Sequence, residues 1–393
     1  MKTLLVTPFL PHRNAPHAGG HFVRWLMEAI CGEGDLYLLS RVSPDEAPFL
    51  DEVRTECKEI RTLPHRVATG APGNVVGRIR SYLELGRAAT RWARERRFDL
   101  LQVEHVEAAV AVRPPPWVPL VVDCHDVITK PRERIYRSSR GGVRLLAWGF
   151  YRAARSIEER VLEKSALAFV RSPAEGEYLR RLSPVPYKVV PHPCRLEIGG
   201  RHRVHDGATV LFLGALHRDL NVDGVRFFVN EVWPRVRGRI PAARFHIAGV
   251  NPPAGIRAME SPERGIRVVG PVDSVEEVYL SATVFVAPIR VGGGMIVKNL
   301  DAMSTGIPVV TTTYGNEGIG AVQGEEILVA DDPAAFTDAV VRLLTDSEAN
   351  RRIGERGRDF VRRVYSPEAI RRRIVEAYKE LLSARFIGGG SAG

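Results

Sequence analysis

Long apolar runs are missing: no stretch of the chain approaches the roughly 18 consecutive apolar residues that a membrane-spanning helix requires. Cysteine is scarce. Cys31, Cys57, Cys124 and Cys194 lie far apart without a C-x-x-C pair, so neither a structural zinc site nor a disulfide framework is expected, and all four read as reduced thiols in or near a core. Lysine is scarce as well, supplying seven of the 56 basic residues. The net charge of +10 is compatible with nucleic acid, an anionic surface or a phosphate-bearing substrate. Nucleic acid ranks last, because the basic residues lack the interleaved aromatics and motifs of the usual modules. No histidine spacing resembles a ligand set, so no metal is expected. The opening stretch Met1 to Leu10 has no small-residue cleavage site, contains Pro8 and is followed at once by Pro11. It reads as a buried first strand and not as a signal peptide, which makes a cytoplasmic protein the expectation.

What is present is core-forming material for two domains: 393 residues, 45% of them hydrophobic. Short β-branched runs alternate with longer helical patterns throughout, the signature of parallel sheets built from βαβ units. One series of strands is expected at Thr3–Phe9, Asp35–Ser40, Glu59–Leu63, Leu100–Glu104, Leu120–Cys124, Ala168–Arg171 and Lys188–Val190. Helices are expected between them at Phe22–Cys31, Val75–Arg97 and Leu145–Lys164. A second series is expected at Thr209–Leu213, Arg244–Ala248, Arg267–Val269, Val284–Ala287, Pro308–Thr312 and Ile327–Val329. The Pro- and Gly-rich segment Pro193 to Gly207 separates the two series as a hinge. The expected organisation is therefore two doubly wound, Rossmann-like parallel-sheet domains, residues 1–193 and 194–365, facing a central cleft where ligands of such folds bind. Residues 366–393 are expected to form a helix that packs back on the first domain, followed by a flexible tail.

Three stretches carry chemistry. In PIRVGGGMIVKNLDAMSTGIP, a buried strand ends at Pro288, Gly292, Gly293 and Gly294 follow, and a helix is expected from about Met295 to Ser304. Bare backbone and a helix N-terminus make this the outline of a phosphate cradle. Lys298 and Asp301 are expected to share a helix face, the lysine reaching a diphosphate and the carboxylate ribose hydroxyls. The alternative is a surface Lys–Asp pair beside a tight loop. In the first domain, Gly19 and Gly20 are expected in the loop between the first strand and the first helix. The strand PLVVDCHD ends in His125, with Asp126 as a candidate to orient it, and His105 with Glu104 is a lesser candidate on the neighbouring strand. For His125, a structural role at a strand end stands beside the functional one. From Arg134 to Ile157 there are six arginines, no acidic residue, and Leu145, Leu146, Trp148, Phe150 and Tyr151. That segment either touches an anionic membrane surface or turns its apolar side chains into the core.

The second half of the chain resembles the group 1 (family 4) glycosyltransferases. The likeness runs from Val210 to about Ser366, through LFLGALHRDLNVDG, GIRVVGPVDSVEEVYLSATVFVAPIRVGGGMIVKNLDAMSTGIPVVTTTYGNEGI and LVADDPAAF. It is thinner in the first half, carried by the Gly-Gly stretch, the strand ending in His125, and VVPHPC. The resemblance implies the GT-B fold and a retaining, metal-independent transfer of a sugar from a nucleotide-sugar donor. The acceptor it implies is a glycan, a lipid-linked or a small-molecule acceptor, in polysaccharide or glycoconjugate biosynthesis. No cofactor is implied beyond the nucleotide-sugar co-substrate; the location expected from the N-terminal stretch and the arginine-rich segment is the cytoplasm, peripherally on the inner membrane face. By position, Gly19 and Gly20 match the loop near the donor phosphates, His125 the histidine beside the donor sugar, and Lys298 the diphosphate-binding lysine. Asp301 stands where a glutamate grips the ribose, and Glu317 matches a glutamate of the nearest branch. Two arginines of the pattern are absent: Ala215 follows Gly214, and Ile296 precedes Lys298 by two. Arg218 and Arg290 lie nearby as candidates to compensate. A sugar-nucleotide epimerase or phosphorylase of the same fold, or a catalytically silent binding protein, remain rival readings.

Overall fold

A computed structural model describes the chain except residues 16–17, 66–74, 195, 197–202, 291–294 and 389–393. Residues 195 and 197–202 of the expected hinge, most of the tail, and the Gly292, Gly293, Gly294 stretch lie outside the described residues. The chain divides into one unit of Met1–His192 with Ile370–Gly393, and a second of Pro193–Ala369.

The first unit is built on β1 (Lys2–Thr7), β2 (Asp35–Val42), β3 (Glu59–Pro64), β4 (Leu100–Glu104), β5 (Leu120–Asp123), β6 (Leu167–Val170) and β7 (Tyr187–Val189). These form one sheet in the order β3-β2-β1-β4-β5-β6-β7, every pair parallel. Both faces are covered, so the strands are apolar on consecutive residues, as buried parallel strands must be. Side chains alternate between the faces. Leu4 and Val6 join a core with Trp92, Phe98 and Val122, whereas Leu5 joins another with Phe22, Leu26 and Phe169. The chain's last helix, Pro367–Gly388, contributes Ile370, Ile374, Ala377 and Tyr378 to that second core.

The second unit repeats the plan with β8 (Thr209–Leu213), β9 (Arg244–Ala248), β10 (Ile266–Gly270), β11 (Val284–Ala287), β12 (Val309–Thr311) and β13 (Leu328–Val329). Their order is β10-β9-β8-β11-β12-β13, again all parallel. Val210 and Phe212 face a core with Phe228, Trp233, Phe245 and Phe336; Leu211 and Leu213 face one with Tyr279, Phe285, Leu300 and Phe360. In each sheet the chain leaves one central strand, builds outward, and returns to the other side. The strand order therefore reverses between β1 and β4, and between β8 and β11. The carboxyl ends at such switch points are where open α/β sheets bind ligands.

Three helix starts differ from the sequence reading, one of them the helix expected from Leu145, which begins at Gly141. The first helix runs Ala18–Cys31, so Gly19 and Gly20 occupy its first turn and not a loop before it. The helix bearing Lys298 runs Val297–Ser304 and not from Met295. No helix among the described residues is long and apolar enough to cross a membrane. All four cysteines are free thiols, Cys124 and Cys194 buried.

Candidate functional site

In the second unit the candidate residues gather at the β8/β11 switch point. A β-carbon placed on Gly214, immediately after β8, would lie 2.7 Å from Lys298 Nζ and 3.1 Å from Asn221 Nδ2. Glycine is needed here for close approach. Lys298 donates from Nζ to Asn221 Oδ1 at 2.6 Å and lies 4.4 Å from the centroid of the Phe212 ring. Asn221 in turn donates from Nδ2 to the Ala215 carbonyl at 2.8 Å, which turns its oxygen toward the lysine. The lysine's helix is pinned by the next residue: fully buried Asn299 donates to Thr311 Oγ1 at 3.2 Å and to the Gly315 carbonyl at 3.0 Å. Burial, and secondly the positive charge of Arg218, pull the Lys298 pKa down to about 7. An amine in that state takes up a proton when an anion arrives beside it.

The other expected residues of this unit fall out unequally. Arg218 is exposed at the start of helix Asp219–Phe227, close enough for its charge to act on Lys298. Arg290, the other candidate cation, is half-exposed and held by Asp223: its guanidinium donates to both carboxylate oxygens, at 3.0 and 2.7 Å, and lies over the Phe227 ring. Ile296 packs against the apolar cluster around Leu300 and Met303, as an arginine there would not. Asp301 is buried, with Oδ1 3.8 Å from Cys194 Sγ, so lysine and carboxylate engage different partners instead of pairing on one face. Glu317 ends the short helix Thr313–Glu317 and is exposed.

In the first unit, His125 follows β5 and is nearly buried, at 8% exposure. Its Nε2 lies 2.8 Å from Glu104 Oε2, at the end of β4. Asp126, the expected orienting residue, lies beyond the end of β5 and is exposed, whereas buried Glu104 is the carboxylate in contact with the imidazole. The contact extends inward. Gln102 donates to Glu104 Oε1 at 2.9 Å, and Tyr378 of the last helix donates to Gln102 Oε1 at 3.1 Å. Both oxygens of a buried carboxyl are thus engaged. Burial pushes Glu104 up to about 7, against the opposing pull of Gln102 and Arg171. The imidazole is also stacked on His105 at 4.3 Å and meets the edge of Phe22 at 5.5 Å. Beneath it Arg171 pairs with buried Asp123 at 2.5 Å, donates to the Val190 carbonyl at 2.6 Å and lies 3.9 Å from the Phe22 centroid. Glu104, Asp123 and His125 bring three ligand atoms within 4.8 Å of one another, but Arg171 already supplies positive charge to that group. Gly20 is buried and Gly19 half-buried in the first turn of helix Ala18–Cys31, where backbone N–H groups have no partner within the helix.

Sequence reasoning passed over Asn221, Gln102, Arg171 and Tyr378. Gln102 and Glu104 did leave a trace, as two polar residues in the otherwise apolar run LLQVE, every member of which is buried. Polar residues in such a strand need partners, which marks a network before its members are known.

Comparison with known proteins follows the same lines. Residues 207–346 match the family model described as glycosyl transferases group 1. A 44.6 kDa protein of the cps region of Klebsiella pneumoniae is 27% identical over 191 residues, 46% of this chain and 47% of that protein. The chain thus matches about half of that relative's length. Among solved structures, sucrose-phosphate synthase from Thermosynechococcus elongatus aligns over 98% of this chain and 100% of its own, with a TM-score of 0.67 and 19% identity. Anabaena Alr3699/HepE, solved in complex with UDP, aligns over 97% and 100%, with a TM-score of 0.63 and 12% identity. The resemblance to the group 1 glycosyltransferases is therefore met both in the family match over residues 207–346 and in two all-parallel α/β domains that share the fold of GT-B glycosyltransferase structures.

Proposed function

We infer that the chain transfers a sugar from a nucleotide-sugar donor to an acceptor glycan, with retention of configuration and without a required metal ion. The observation that carries the reading is Lys298, whose ammonium stands at the β8/β11 switch point beside bare Gly214, inside the segment that matches the family. In the proposed reaction the bond from the anomeric carbon to the diphosphate breaks, an acceptor hydroxyl oxygen bonds to that carbon, and the hydroxyl proton passes to an oxygen of the departing diphosphate. Lys298 meets the charge that grows on the departing nucleoside diphosphate. His125, oriented by Glu104, is assigned to the sugar. The UDP complex of Alr3699/HepE supports a nucleoside diphosphate as the product. The cps-region relative supports polysaccharide or glycoconjugate biosynthesis as the setting.

The test is a product assay with a panel of nucleotide-sugars and glycan, lipid-linked and small-molecule acceptors. Transfer yields free nucleoside diphosphate and a heavier acceptor in equal amounts. An epimerase leaves the nucleotide on an altered sugar, and a phosphorylase consumes inorganic phosphate. A silent binding protein is the second reading, favoured by Ala215, by the apolar packing of Ile296 and by the clamp on Arg290. It yields nucleotide binding without any product.

A further inference from the structure

Helices Thr129–Ser138 and Gly141–Glu163 pack against each other in the first unit. The first half of the second helix leaves its large apolar side chains in solvent. Leu145 is 70% exposed, Leu146 68% and Phe150 68%; Val143 and Trp148 are exposed beside them, as is Ile135 on the first helix. Of residues 141–150, only Ala147 is buried. The apolar residues of this segment therefore do not enter the core. A cluster of this kind on a charged, water-soluble helix marks an interaction surface.

The charge around the cluster has one sign. The six arginines between Arg134 and Ile157 have no acidic residue among them. Arg137 and Arg155 pair with Glu133 and Glu159. Arg144 lies over the Tyr136 ring, and Arg140 and Arg152 are exposed without an acidic partner among the described residues. A second copy of this face would bring the same arginines together, while the flanking carboxylates Glu133 and Glu159 are already paired within the chain, so the surface is poorly complementary to itself. An anionic bilayer supplies what it lacks: negative headgroups for the arginines, and an acyl boundary for leucine, tryptophan and phenylalanine.

We propose that this helical pair docks on an anionic lipid surface, inserting Leu145, Leu146, Trp148 and Phe150 at the headgroup boundary while Arg140, Arg144 and Arg152 contact lipid phosphates. The proposal concerns the first unit alone and does not depend on the transfer reading. Its test is co-sedimentation of the full chain with phosphatidylcholine vesicles, with and without phosphatidylglycerol, at low and high salt. Binding is expected to the mixed vesicles only, weakening as salt rises. Leu145→Ser/Leu146→Ser/Phe150→Ser and, separately, Arg140→Glu/Arg144→Glu/Arg152→Glu should each lower partitioning at least about tenfold. All six side chains are exposed, so an unchanged thermal melt is expected for both variants. The proposal is overturned by absence of binding to phosphatidylglycerol vesicles, by either variant binding as well as the parent, or by lipid-independent dimerisation that the serine variant abolishes.

Discussion

Raising the pH from about 7 to about 9 should weaken nucleotide-sugar binding about fiftyfold, because Lys298 must be charged to hold a diphosphate and its surroundings oppose that charge. Burial and the neighbouring Arg218 bring the amine's pKa to about 7. With that value roughly half the lysines are protonated at neutral pH, and about one in a hundred at pH 9, a difference worth about 2.3 kcal/mol of binding free energy. The sign follows from the direction of the shift: a depressed lysine pKa means the free protein is short of a proton that the complex requires. Binding should therefore take up about half a proton at neutral pH, and close to one a pH unit higher. A nucleotide-sugar is the ligand to use, since its diester diphosphate has no proton to lose in this interval. Calorimetric titration in buffers of different ionisation heat reads the affinity and the proton count together. Lys298→Arg, charged throughout, should give a flat profile whatever its geometry does to affinity. An affinity independent of pH in the unaltered protein, with no proton uptake, would refute the reasoning.

Glu104 titrates with the opposite consequence for stability. Its folded pKa of about 7 lies above the ordinary carboxyl value, so its stabilising contribution is complete below about pH 4.5 and is lost as pH rises through 7, a fall of up to about 3 kcal/mol. Glu104→Gln should flatten that part of the profile in denaturant melts across pH, and a slope identical to the parent's would count against it. His125→Ala should slow transfer far more than it weakens nucleotide binding, and unchanged turnover would make the histidine structural. Gly315→Ala would put a β-carbon 1.9 Å from Thr311 Oγ1. Strain of that kind costs about 1–3 kcal/mol, and because Asn299 binds both Gly315 and Thr311 it should also shift Lys298 and weaken donor binding, as melts and titration would show.

The sheets were largely legible because buried parallel strands are written as short apolar runs between polar breaks. The readings for β4, β8, β9 and β11 match their observed limits, and the others differ by one or two residues at an end. Helix starts were harder. Gly19 and Gly20 suggested a loop, yet helix Ala18–Cys31 includes them, because Phe22, Val23 and Leu26 anchor it to the core and override two poor helix formers. Site residues could be chosen one at a time by position, but their partners could not. Lys298 and Asn221 are 77 residues apart, and Tyr378 meets Gln102 across 276. No local spacing encodes such contacts. The partner of Arg290 was equally invisible, since Asp223 arrives from helix Asp219–Phe227, 67 residues away. Nor does the sequence mark Asn299, next to Lys298, whose buried hydrogen bonds make Asn299→Ala a disruptive change.

Titration of nucleoside diphosphates carrying each base into the unaltered protein and Lys298→Ala tests the central claim most directly. One nucleoside diphosphate should bind the parent, and the variant should bind it roughly ten- to a hundredfold more weakly, the loss of a charge-assisted contact worth about 1.5–3 kcal/mol. Equal affinities for the two proteins, or no nucleoside diphosphate bound by the parent, would contradict the account.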